Sequence, residues 1–319
     1  MLTIHVALVA DTDAVSAREI SRVAAALDKQ VTRDFGPLWG VLATVDPVFS
    51  LEDVPVGYWP IVLRDRIKAP GADGFHKDRF GQPFARVSLT DSWSLTASHE
   101  CLEMLADPFG DRMIPGPSIK RGEGRVSYLV EVCDPPESEE FAYTVNDVLV
   151  SDFITPSFYD PVAVEGVRYS FTGAVERPRQ VLEGGYISWR NQTNEHIEQL
   201  VLRNGKREFM DLGVWHPSSR SVREFVDSKT EHPELEQGLS PQNKRLRSAI
   251  EAEQNNKRAR EQAAELLRKE IQVLETLPWK RLGTLRLRLR LSARSSLRLS
   301  LVSNAWSLRL SLSASRLGP

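Results

Sequence analysis

The stretch LTASHECLEMLADP, residues 95–108, most constrains what this chain can fold into. Its apolar residues recur at helical spacing, and Asp107-Pro108 ends the pattern. With about 100° per residue and His99 as origin, Glu103 falls at about 40°, Asp107 at about 80° and Glu100 at about 100°. The remaining arc is apolar except for Ser98. A surface helix shows a much wider polar face. The pattern therefore predicts a buried helix over 92–107 with one narrow polar stripe. Buried carboxylates cost several kcal/mol unless they are paired or bind a cation.

Around this helix the chain reads as an α+β fold with a mixed β-sheet. Residues 3–10 alternate as a strand, and Ser16 and Glu19 form a capping box before a helix ending at Gly36-Pro37. WGVLATV, YWPIVLRD and FARVSL read as further strands, with 70–83 a turn-rich connection. Residues 109–124 read as a Gly/Pro-rich loop and RVSYLVEVC, 125–133, as an apolar strand. Hairpins are expected about Asn146-Asp147 and Asn204-Gly205. The folded domain is expected over 1–215. A polar linker, 216–242, then leads to a charged amphipathic helix, 243–277, suited to self-association.

Net charge is −2, but residues 278–319 hold nine basic residues and no acidic one. Residues 1–277 therefore carry 32 basic and 43 acidic residues, a net charge of −11. That acidity argues against nucleic acid as a partner of the main domain. The Leu/Arg/Ser tail, 278–319, reads as low complexity, either disordered or an out-of-frame repeat. No apolar run approaches the roughly 20 residues of a membrane span. No signal peptide is read at the start, and a cytoplasmic location is the expectation. Two cysteines, Cys101 and Cys133, imply no disulfide framework.

His99 and Glu103 lie one helical turn apart, so both side chains can reach one ion. Glu100, rotated from both, can accept a proton from a water there. His99-Glu100-Cys101-Leu102-Glu103 resembles the H-E-x-x-H helix of the zincins, with Glu103 in place of the second His. The resemblance implies a metal-dependent hydrolase, with a peptidase as its leading form and a peptide or protein as substrate. It implies zinc as the cofactor, with manganese or iron as oxygen-tolerant alternatives.

A third ligand is expected from YLVEVCDPPE, where Glu131 and Asp134 are both candidates. The bland readings are an ion pair of Glu131 with Arg125 or Arg86, and a turn cap for Asp134. The FARVSL strand, with Phe84, Ala85, Arg86 and Val87, is expected to line the substrate cleft. Tyr143 is a candidate oxyanion donor, as is Tyr159. His76 reads as a solvated loop residue. Residues 1–215 also resemble a group of bacterial proteins, largely of unknown function, sharing the ASHECLEMLADP and VEVCDPPE patterns. The rival reading is a non-catalytic scaffold that keeps the fold.

Overall fold

The computed structural model describes residues 3–67, 73–216 and 221–230, together with Glu265, Arg268, Lys269 and Gln272. Those last four are helical. The rest of the expected 243–277 helix, and the whole of 278–319, lie outside the described residues. Among the described residues no helix is long and apolar enough to cross a membrane.

The first sheet is mixed. Strand β1 (Ile4–Ala10) leads through helix α1 (Ala17–Lys29) to β2 (Ala43–Val48). The Ser16 hydroxyl caps α1 by accepting from the Glu19 amide, as the capping box predicts. The helix widens into π turns over Gln30–Phe35 and ends in the short α2 (Gly36–Trp39). Strand β3 (Trp59–Arg64) follows, then β4 (Gly74–Arg79) and β5 (Gln82–Ser88). The order is β2-β1-β3-β5-β4, parallel throughout except for β4, which runs antiparallel on the outer edge.

Strand β4 lies in the segment read as a connection. Lys77, Asp78 and Arg79 hide it from a hydrophobicity pattern. Phe80 and Gly81, both at positive φ, make the tight turn into β5, and the Asp78 carboxylate accepts from the Gly81 amide at 2.9 Å.

Helix α3 (Trp93–Ala106) packs against β3, β4 and β5 and is buried along most of its length. Strand β6 (Met113–Pro117) lies within the expected 109–124 loop, on the edge of a second sheet where Pro115 and Pro117 are tolerated. The other strands of that sheet are β7 (Arg125–Leu129), β10 (Tyr186–Asn191), β11 (His196–Arg203) and β12 (Lys206–Val214). They are ordered β12-β11-β10-β7-β6, all antiparallel. Between β7 and β10, β8 (Tyr143–Val145) and β9 (Val148–Val150) form the small hairpin about Asn146-Asp147. The Asn204-Gly205 turn joins β11 to β12.

The segment expected to be a linker contains α4 (Val222–Asp227), capped by the Ser221 hydroxyl. Val222, Phe225 and Val226 form a small apolar cluster with Leu129 and Ile197. Four of its six residues are buried, and the three apolar ones give α4 its anchorage. A run this short gives no helical periodicity to read.

Ser98, the one polar residue on the apolar arc of α3, has a structural task. Its hydroxyl donates to Gln30 Oε1 at 2.8 Å and accepts from the Ser151 amide at 2.9 Å. Gln30 Nε2 closes the ring by donating to the Ser151 carbonyl at 2.9 Å. All three residues are buried. Replacing Ser98 by Ala leaves a buried amide and a buried amide oxygen unmatched, at about 1–3 kcal/mol each. We expect Ser98→Ala to lower unfolding stability by at least about 1–3 kcal/mol in denaturant titration. An unchanged midpoint would mean that the ring contributes nothing.

Candidate functional site

Glu103 is the centre of the polar stripe and is fully buried. Three sets of side chains approach closely enough to share an ion, with ligand atoms within 4.8 Å of one another. They are His99, Glu103 and Cys133; His76, Glu100 and Glu103; and Glu103, Glu131 and Asp134. Glu103 belongs to all three.

His99 and Glu103 meet as their one-turn spacing predicts, with Nε2 3.3 Å from Oε2. The same nitrogen lies 3.3 Å from Asp134 Oδ1. That oxygen is buried and accepts no hydrogen bond of normal geometry. Burial by itself would lower the imidazole pKa, but the Glu103 charge and the Asp134 contact outweigh it and hold His99 well above its ordinary value. Burial likewise opposes ionisation of Glu103. The facing His99, Arg223 and His76 nevertheless hold its carboxyl well below the usual carboxylate range. Asp134 is pushed well up by burial and by the Glu103 charge, against the pull of His99.

Glu131 and Asp134 reach the helix because β7 stops at Leu129 and the chain crosses α3 as irregular backbone. The expected 125–133 strand is therefore shorter than its apolar run. The Cys133 amide donates to Glu103 Oε1 at 3.1 Å instead of joining a ladder. Gly185 fixes this crossing from the other side. A Cβ there would lie 2.4 Å from the Pro135 carbonyl oxygen and 2.6 Å from that of Asp134. With no side chain in the way, the Tyr186 amide donates to the Asp134 carbonyl at 3.1 Å. Of the two glycines of LEGGYISW, Gly185 thus serves close packing behind Asp134, and Gly184 takes a positive φ.

Glu131 is ion-paired, though not with Arg125 or Arg86. Its partner is Arg223 of α4, whose Nη1 donates to Glu131 Oε2 and, at 2.7 Å, to Glu103 Oε2. No sequence signal marked Arg223, because its partners lie 92 and 120 residues away.

His76 is the second residue that the sequence reading missed. It sits in the middle of β4, only 2% exposed, not in a solvated loop. Its Nδ1 lies 3.2 Å from Glu100 Oε2 and 3.8 Å from Glu103 Oε2, and its Nε2 lies 3.3 Å from the Asp107 carbonyl. Gly74 permits this approach of β4 to α3, since a Cβ there would meet Thr96 and Glu100 at 2.5 and 2.7 Å. Glu100 is thus directed toward His76, and these two form a set with Glu103 that does not include Asp134. Glu137, in the turn after Asp134, is lifted by burial to about 7, with His99 opposing and Glu103 and Glu100 adding to the rise.

Two expectations are corrected. Phe84, Ala85, Arg86 and Val87 belong to β5, which pairs with β3 on one side and β4 on the other. Both backbone edges are used, so β5 has none to offer an extended peptide. The edge strands of this sheet are β2 and β4, and β4 is the one beside β5. Tyr143 is also away from the cluster, because its buried hydroxyl donates to Asp34 Oδ2 at 3.0 Å. Tyr159 lies nearer, its phenol raised by burial and then by the Asp134 charge.

Cys101 and Cys133 are both free and fully buried. Burial lifts the Cys101 thiol to about 12, and burial together with Glu103 lifts Cys133 well above its ordinary value. Thiolate is the reactive form, so both thiols should be inert in the folded state. We expect neither to react with a disulfide reagent at pH 8 until denaturant is added, when both should. Prompt reaction of one thiol in the native protein would contradict this burial.

No family model, curated protein or solved structure matches this chain.

Proposed function

We propose that this chain is a metal-dependent hydrolase of zincin-like plan, with a peptide bond as its leading substrate. One observation carries the reading: His99 Nε2 lies 3.3 Å from Glu103 Oε2 and 3.3 Å from Asp134 Oδ1. Two ligand atoms on a tetrahedral zinc ion, each roughly 2.0–2.1 Å from it, stand roughly 3.3 Å apart. One nitrogen and two carboxylates are also an accepted zinc donor set. We take Asp134 over Glu131 as third ligand because its Oδ1 faces His99 Nε2 at 3.3 Å. The sets whose ligand atoms all lie within 4.8 Å nevertheless join Asp134 to Glu103 and Glu131 and not to His99. An oxygen-rich set suits manganese or iron as well. When bound, such an ion supplies Lewis-acid activation of water and of the scissile carbonyl.

The chain's own residues supply the rest. Glu100 Oε2 is the proposed proton acceptor, and His76 Nδ1, 3.2 Å away, holds that carboxylate in place from β4. Strand β4 offers the sheet's outer edge, where an extended peptide can add as a further strand. His76 on this strand would then link the peptide-pairing element to the proton acceptor. The scaffold reading also has an observation in its favour. Arg223 forms ion pairs with both Glu103 and Glu131, the pattern of a structural charge network.

Metal content tests the site. Protein purified without chelator and offered zinc, manganese or iron should hold about one ion per chain. We expect His99→Ala and Asp134→Ala to lose it, whereas Glu100→Gln retains it. A metal-free wild type would end the metallohydrolase reading. Once a cleaved peptide is found, Glu100→Gln should slow its hydrolysis about 10²–10⁴-fold, the usual contribution of a general base. Full activity in that variant would remove Glu100 from the chemistry and turn attention to Glu137.

A further inference from the structure

Arg223 is a cation already seated in the acidic cluster. It is 8% exposed, and its Nη1 donates to carboxylates from two separate elements, Glu103 of α3 and Glu131 of the crossing segment. The oxygen it takes on Glu103 is Oε2, the atom that faces His99 Nε2. A divalent ion bound by His99 and Glu103 would therefore contend with Arg223 for the same oxygen and the same negative charge. The donor set is also not fully used by the guanidinium. Glu131 Oε1 and Arg223 Nε are buried and make no hydrogen bond, although Nε lies 3.8 Å from Asp227 Oδ2.

The mounting of Arg223 also favours reversible docking. Helix α4 is six residues long and is held by Val222, Phe225 and Val226 in a cluster separate from the main core. Its first turn is tied by the Val222 amide to Asp111 Oδ1 at 2.9 Å and by the Arg223 amide to the Gly110 carbonyl at 3.0 Å. A short element packed outside the main core can detach at lower cost than a core strand.

We infer that Arg223 is an internal counter-cation that occupies the Glu103–Glu131 pair in the metal-free chain and is displaced, with α4, when a divalent ion binds. This rests on the metal reading above and adds a means of regulating that site. The guanidinium compensates the buried Glu131 and adds to the partners that already face Glu103. It also lowers apparent metal affinity by the fraction of chains in which it has withdrawn. A partner or condition that holds α4 away would load the site.

The test compares full-length wild type with Arg223→Met, each stripped of metal and titrated with zinc, and with cobalt(II) for its ligand-field spectrum. Arg223→Met should have a lower thermal midpoint without metal and bind zinc at least about tenfold more tightly, as expected if the competent fraction is one-tenth or less. In wild type, zinc should speed amide hydrogen exchange across 221–230. Equal or weaker zinc binding by Arg223→Met, with wild-type zinc binding intact, overturns the displacement and makes Arg223 a support for Glu103. Zinc binding by neither protein removes the metal reading and this inference with it. Should Arg223→Met fail to fold, exchange in wild type decides alone. Exchange over 221–230 left unchanged or slowed by zinc overturns the inference.

Discussion

Glu103 is the group on which the rest of the site depends. A fully buried carboxylate must be compensated, and removing the partner of such a charge typically costs about 3–5 kcal/mol. Here the compensation comes from three directions. His99 stands one turn back on the same helix, His76 reaches in from β4, and Arg223 comes from α4. The Cys133 amide takes the second oxygen. Apart from the His99 contact, which lies within α3, each fixes the position of a different element against that helix. The acidity of Glu103 is therefore structural, because its charge gathers β4, the crossing segment and α4 around it.

The acids are graded by what faces them. Glu103, faced by His99, Arg223 and His76, is held well below the usual carboxylate range despite complete burial. Asp134 shares His99 with Glu103 and feels the Glu103 charge, so its carboxyl is pushed up. Environments that drive like groups apart in this way mark functional clusters more often than packing sites, though structural ion-pair networks do it too. Here the ion-pair network is present, through Arg223. The proposed contest between a metal and Arg223 would set those two uses of one cluster against each other.

Helix α3 was legible in sequence because its contacts are local. The i, i+4 spacing of His99 and Glu103 survives into the structure as a 3.3 Å contact. The apolar arc was legible for the same reason, and even its exception, Ser98, proves to be buried. His76 was not legible. A polar β4 next to a glycine-rich connection has no clear period-2 signal, and the strand forms because β5 supplies a full antiparallel ladder. Arg223 was hidden by distance. Its setting, Ser221 through Asp227, is a single capped turn and a half in a polar region, and long-range charge pairing leaves no local pattern.

The sequence by itself determined what short-range geometry can determine. That includes the buried α3 with its acidic stripe, the mixed α and β content, the Asn146-Asp147 and Asn204-Gly205 hairpins, and the nearness of His99 to Glu103. Helical and strand periods and turn chemistry are properties of a few neighbouring residues, so they can be read in place. Only the tertiary structure decided which carboxylates face which cations. Glu131 went to Arg223 and Asp134 to His99. Glu100 turned to His76, and β4, not β5, took the sheet's outer edge. Those outcomes follow from elements far apart in the chain competing for one buried charge. A desolvated carboxylate takes whichever partners the packing brings within about 3–4 Å, and no local pattern records that choice.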